Sequence, residues 1–170
     1  MQFSQILQSV RKGVYPNGHD VKVLALDPGE TTGVCTLSIS RDLRKVRLDS
    51  VGQLNTGLLI PGGKAVRKHI EFQRPSIVVI EDYKIYGWKA DSHSWSNLHT
   101  PKLVGLIEFF CDEMHIECTK QSAQTGKGFC TDEKLKEWGF YQTGLRHAND
   151  AIRHACQSVL FSKHEHFHTH

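Results

Sequence analysis

The run Val21-Lys-Val-Leu-Ala-Leu-Asp27-Pro-Gly-Glu-Thr-Thr-Gly33 decides how this chain is read. Val21–Leu26 is β-branched and aliphatic, and Asp27-Pro28-Gly29 closes it, the pattern of a strand entering a turn. With period two, Val21, Val23, Ala25 and Asp27 share a face, so a charge terminates an apolar row. Outward from this run, Gly33–Ser40 and Lys45–Asn55 read as two further strands joined near Arg41–Leu43, an antiparallel meander. Gly62-Gly63 opens a helix to about Phe72. Ser76–Ile80 is a second fully apolar strand, ending in Glu81-Asp82. Pro101 starts a helix with Leu103, Leu106, Ile107, Phe110 and Met114 at helical spacing, a stripe most simply read as core. Ile116–Thr119 is a short strand, Gln121–Cys130 a loop, and Thr131 the N-cap of another helix. A last helix runs from about Arg146 to Phe161.

The expected order is βββαβαβαα: one α/β domain over residues 21–162 with a mixed five-stranded sheet flanked by helices. Residues 1–20 form an N-terminal extension, a short helix and a turn at Tyr15-Pro-Asn-Gly18. Residues 163–170 form a His-rich C-terminal tail. Its alternating His residues suit metal binding on an extended strand, but a chain end of this kind is expected to fray.

The chain has 170 residues, enough for one sizeable core and a tight fit for two catalytic domains. No apolar run approaches the roughly 20 residues of a membrane span, and the first residues do not read as a secretory signal, so no membrane partner is expected. Five cysteines with no CxxC pair argue against a disulfide framework or a zinc site. Free thiols in a reducing cytoplasm are the expectation. Net charge is only +3, but Arg41–Arg74 holds eight bases against three acids, while Glu108–Glu117 holds four acids and no Lys or Arg. The sequence therefore suggests one face suited to a polyanion, or else a solvated basic hairpin and an acidic helix end.

Three carboxylates occupy positions that a structural role explains poorly. Asp27 and Glu81 each end an apolar strand. If those strands are neighbours, both emerge at one rim of the sheet, where open α/β sheets place ligands. Asp82 points to the opposite face by alternation. On the last helix, Ala148, Ala151, Ile152, Ala155 and Val159 form an apolar face, with His147, Asp150 and His154 within about 60° of one another on its flank. His154 reads as structural or surface. The small Ala residues let this helix approach the sheet and bring Asp150 towards Asp27 and Glu81. Converging carboxylates repel unless a cation lies between them. Mg²⁺ suits a few carboxylates plus water, and two such ions about 4 Å apart serve phosphodiester cleavage.

Four motifs in this order resemble the RuvC-type Holliday junction resolvases of the ribonuclease H-like superfamily. They are Leu24-Ala-Leu-Asp-Pro-Gly-Glu-Thr-Thr-Gly33, Val78-Val-Ile-Glu81, Thr125-Gly-Lys-Gly128 and His147-Ala-Asn-Asp150-Ala. The resemblance covers roughly residues 21–162. It implies a ribonuclease H-like fold and a homodimer that cuts two strands of a four-way DNA junction with Mg²⁺ or Mn²⁺. It implies that Asp27, Glu81, His147 and Asp150 are the catalytic and metal-facing positions, with two ions per site. DNA contacts would come from Lys64, Arg67, Lys68, Tyr83, Lys84, Tyr86, Lys127 and Lys134. The family often carries an aromatic residue three positions after its Glu; here that position is Lys84, between Tyr83 and Tyr86. The segment from Tyr83 to His99 also holds Trp88 and Trp95, a stacking platform for unpaired bases or a part of the core or a dimer interface. The compact size and N-terminal extension suit a phage-encoded or other mobile-element version in a bacterial or phage-infected cytoplasm.

Other readings stay open at this point. The same fold serves nucleases acting on flaps, forks or RNA-containing duplexes, and non-catalytic nucleic-acid-binding modules. Gly126-Lys127-Gly128 lacks the spacing of a P-loop. An actin-like ATPase needs two lobes and about twice this length.

Overall fold

A computed structural model describes residues 1–12, 14–16, 19–83 and 98–169. The elements are α1 (Phe3–Val10), β1 (Val14–Pro16), β2 (Val21–Asp27), β3 (Thr31–Ile39), β4 (Val46–Asn55), α2 (Leu59–Gln73) and β5 (Ile77–Asp82). They continue with α3 (His99–Glu113), β6 (Glu117–Ser122), α4 (Ala123–Phe129), α5 (Asp132–Glu137), α6 (Arg146–Phe161) and β7 (Phe167–Thr169). The main sheet has the order β4-β3-β2-β5-β6, the mixed five-stranded α/β sheet expected. The meander β2-β3-β4 is antiparallel, and β5 and β6 add in parallel beside β2.

Strand alternation divides the core into two layers. Val21, Val23, Ala25, Ile77 and Val79 face α6, where Ala151, Ile152, Ala155 and Val159 are buried against them. Leu24, Leu26, Val78 and Ile80 face α2 and α3, against Val66, Ile70, Leu103, Ile107 and Phe110. The stripe expected on α3 is therefore core at these positions, with Leu106 and Met114 packed at its edge.

The segment 121–130 is a correction to the expected loop. It completes β6 and then forms α4, despite Gly126 and Gly128. Glycine costs up to about 1 kcal/mol in a helix; packing overrides that here. The Phe129 ring stacks on Trp138 at 6.4 Å and meets Phe161 edge-on at 5.2 Å. Thr131 does cap α5, its hydroxyl accepting from Lys134 N.

The tail is the second correction. Phe167–Thr169 pairs antiparallel with Val14–Pro16; Asn17 and Gly18 of the expected turn lie outside the described residues. His164 is buried, its ring 2.8 Å from Ser158 Oγ and 2.6 Å from Glu117 Oε1. Arg11 donates to the carbonyls of Val159 at 2.8 Å and Ser158 at 3.2 Å and also to that of Ser162, satisfying the C-terminal end of α6. Its guanidinium also lies over the Phe167 ring. A tail with buried, hydrogen-bonded side chains does not fray.

Replacing His164 by Ala leaves Ser158 and Glu117 without their partner. The expected loss is about 2 kcal/mol, or roughly 4–8 °C in melting temperature for a chain of this size, measured by circular dichroism. A fraying tail would show no change.

Candidate functional site

Parallel pairing of Leu26 with Ile80 puts Asp27 and Glu81 side by side at the carboxyl ends of β2 and β5. Both sit on the face covered by α6, because they continue the Val23-Ala25 and Ile77-Val79 rows. Asp27 is buried, and its Oδ2 accepts from His147 Nδ1 at 2.8 Å. Burial, then the neighbouring charge of Glu81, push the Asp27 carboxyl up to about 6, outweighing the His147 bond. The pair by itself thus resists holding a second full negative charge.

Glu81 behaves differently. Burial would raise it, but the bond from His154 and the charges of His154, Lys127 and His147 hold it below the usual carboxylate range. His154 Nε2 lies 2.8 Å from Glu81 Oε2, and its Nδ1 lies 3.0 Å from Gln121 Oε1 on β6. His154 is only 1% exposed, which corrects the surface alternative for it.

Asp150 is also buried, and its Oδ1 is ion-paired with Arg153 on the next turn. Arg153 pairs with Asp132 as well and donates to the Cys130 carbonyl at 3.1 Å. The Asp150 charge is still near enough to raise Asp27. The expected neighbours are together, but each carboxylate faces its own basic partner. Among the described residues, no three His, Cys, Asp or Glu converge on one point. The donor types nonetheless fit a hard divalent cation: two adjacent carboxylates, one pushed up by burial and by its neighbour's charge, with a third at their flank.

The start of α6 is set by close backbone contact. Gly33 lies on β3 directly opposite Asp27. A Cβ there would fall 1.9 Å from the His147 carbonyl oxygen, so only glycine lets the first turn of α6 rest on the strand. Gln53 Oε1 on β4 accepts from the His147 backbone N–H at 3.1 Å. Asn149 clamps the preceding loop, accepting from Gln142 N at 2.9 Å and donating to Gln142 O at 2.7 Å. The turn after Asp27 is held by Thr56, whose hydroxyl donates to the Gly29 carbonyl at 2.6 Å.

The expected basic face is corrected by the topology. Val21 pairs with Ile39 and Ile39 with Val46, so Arg41, Arg44, Lys45 and Arg47 lie around the hairpin at the end of the sheet remote from Asp27. Arg44 and Arg47 also pair with Asp42 and Asp49. Arg67 is engaged by Glu71 and Glu113, and Glu108 by Lys120. Lys64 and Lys68 are exposed on α2. The Lys134 ammonium sits 3.4 Å from the centre of the Phe129 ring. Tyr83 lines a cleft of about 140 Å³ with Glu81, Asp82, Thr100 and Ser122. Lys84, Tyr86, Trp88 and Trp95 lie outside the described residues.

Two cations lie nearer: Lys127, one of the expected DNA contacts, and Arg146, which the sequence reading passed over. Lys127 and Arg146 line an open cleft of about 470 Å³ together with Asp150 and Arg153. Arg146 and Arg153 flank Asp150 at i−4 and i+3, a signal visible in the sequence.

Two outcomes test this geometry. Gly33→Ala should cost about 3 kcal/mol or more, since backbone must move to admit the methyl group; a denaturant titration reads it. Asp27 has a folded-state value above its unfolded one, so its contribution to stability is full below about pH 4 and lost as pH rises through about 6. Metal-free Asp27→Asn should therefore exceed the wild type in melting temperature at pH 8, with the gap closing towards pH 4.

No protein-family model matches the sequence, and no curated protein matches it. Solved structures do resemble the fold. RuvC of Thermus thermophilus in complex with a Holliday junction superposes with a TM-score of 0.64 at 16% identity, over 82% of this chain and 94% of that one. The yeast mitochondrial Holliday junction resolvase Ydc2 gives 0.56 at 12%, over 91% and 82%. The fowlpox virus resolvase gives 0.54 at 10%, over 79% and 94%. With the mixed sheet and the α6 packing already described, these similarities show that the chain has the RuvC-type resolvase fold of the ribonuclease H-like class.

Proposed function

We propose that this protein is a divalent-metal-dependent endonuclease that resolves four-way DNA junctions by paired phosphodiester hydrolysis. One observation carries the reading: Asp27 and Glu81 end adjacent parallel strands directly beneath the helix that bears His147 and Asp150. This arrangement stands in a fold shared with three junction resolvases.

Asp27, Glu81 and Asp150 would hold the ions, two of them per site, with His147 as a ligand or as the group that orients the attacking water. When bound, Mg²⁺ or Mn²⁺ supplies Lewis acidity and an activated water. The chain's own groups do the rest. His147 is half exposed with its Nδ1 on Asp27, so its ring meets the Asp27 carboxylate from the solvent side. Lys127 and Arg146 line the approach beside Asp150 and neutralise backbone phosphates, a contact that carries affinity rather than sequence. Lys64 and Lys68, exposed on α2 across the sheet, would offer separate phosphate contacts. Cutting two symmetric strands needs two sites, hence a homodimer. Phe72 on α2 and Phe109 on α3 are 82% and 55% exposed, and they offer apolar surface for it. The setting is the cytoplasm of a bacterium or phage-infected cell, where the five free thiols stay reduced.

The test is nicking of a synthetic four-way junction with and without Mg²⁺ or Mn²⁺. Asp27→Asn and Glu81→Gln should lower cleavage by about 10³-fold or more while junction affinity in EDTA changes little. Faster cutting of flaps, forks or RNA-containing duplexes would move the substrate. Tight, salt-sensitive binding with no cleavage of any branched DNA would leave a non-catalytic module.

A further inference from the structure

We infer that the adjacent residues Arg153 and His154 are positioning residues of the acidic site. Each takes one oxygen of a carboxylate and thereby decides which oxygen is left to face the cleft. The inference rests on the metal-dependent reading above.

The motif resemblance accounts for His147 and Asp150 but assigns nothing to these two residues. Both are expensive to place where they are. His154 is 1% exposed on the flank of the apolar face of α6, where an aliphatic side chain would carry no hydrogen-bonding demand. A buried imidazole persists only if its polar atoms are satisfied. The two ring nitrogens reach partners on two different strands: Glu81 Oε2 on β5 at 2.8 Å and Gln121 Oε1 on β6 at 3.0 Å. Gln121 is itself buried. The ring is therefore a fixed strut, and Glu81 cannot rotate without losing its donor. Oε2 is committed, and Oε1 has no hydrogen-bond partner among the described residues.

Arg153 repeats the arrangement. Its guanidinium uses Nη1 on Asp150 Oδ1, Nη2 on Asp132 and Nε on the Cys130 carbonyl. The last two partners sit at the start of α5, so the guanidinium is pinned from outside α6. Asp132 shares its charge, which limits its competition with a cation for Asp150. Again one carboxylate oxygen is committed, and Asp150 Oδ2 is left. Positions 150, 153 and 154 lie on one side of a helix at i, i+3 and i+4. A single helix thus supplies Asp150, its own strut and the strut of Glu81. Ligating carboxylates are commonly oriented by such outer hydrogen bonds, and removing them costs 10–100-fold in metal affinity.

The experiment measures Mn²⁺ binding by titration calorimetry on the full-length protein without DNA, each variant being checked as folded by circular dichroism in EDTA. His154→Ala and Arg153→Ala should bind Mn²⁺ about 10–100-fold more weakly than the wild type. His154→Gln, whose amide N–H can still donate to Glu81, should recover most of that loss, and Arg153→Lys part of it. Junction affinity in EDTA should be unchanged in the His154 variants, whose side chain is buried away from the cleft. If an alanine variant fails to fold, His154→Asn, whose shorter amide withdraws the donor, takes its place beside His154→Gln. Affinities of the alanine or Asn variants within about threefold of the wild type, or no recovery by His154→Gln, overturn the inference while leaving the metal site standing. A wild type that binds no Mn²⁺ overturns the proposed function, and the inference with it.

Discussion

The contact on which the site depends is the backbone approach of α6 to β3 at Gly33. With the His147 carbonyl where a Cβ would be, no side chain separates the helix from the sheet. The rest of the interface follows the same rule: Ala148, Ala151 and Ala155 are buried and small, so the helix axis stays low along its length. A longer separation would leave Asp150 and His147 out of reach of the strand ends. Gln53 and the Asn149 clamp then fix where the helix begins. Arg11 and the His164 network fix where it stops.

That approach creates an electrostatic problem, which the chain solves by pairing. Asp27 faces His147, Glu81 faces His154, and Asp150 faces Arg153. Asp27 is the least compensated, and burial with the Glu81 charge raises it to about 6. A site that is costly to ionise in isolation is one that gains most from a cation, so fold stability and cation affinity pull against each other at Asp27. The same pairing explains the small net charge. Most bases of the Arg41–Arg74 stretch are remote from the site or matched to acids. The cations beside the acidic rim, Lys127 and Arg146, come from a different part of the chain.

Legibility in the sequence followed the range of the interaction involved. Asp27 and Glu81 were readable because strand periodicity is local: once an apolar row is recognised, the face of its last residue is determined. His147 and Asp150 were readable for the same reason on a 3.6-residue period. The helix at Ala123–Phe129 was not, because its two glycines argue for a loop, and Phe129 overrides them only through Trp138 and Phe161. The tail was not, because His164 is ordered by Glu117, a residue 47 positions away. His154 lay on the correct flank, but nothing local distinguishes a surface histidine from one aimed at Glu81.

The sequence by itself therefore determined the βββαβαβ order of the sheet and its flanking helices and the faces on which Asp27, Glu81, His147 and Asp150 lie, though not α4 or β7, since each of those readings rests on periodicity within one element. The tertiary structure alone decided that β5 lies beside β2, that α6 sits within backbone contact of β3, and that each acid has a basic partner. Those facts depend on which distant elements touch. A hydrogen bond between a helix and a strand 73 residues apart leaves no mark in either segment alone.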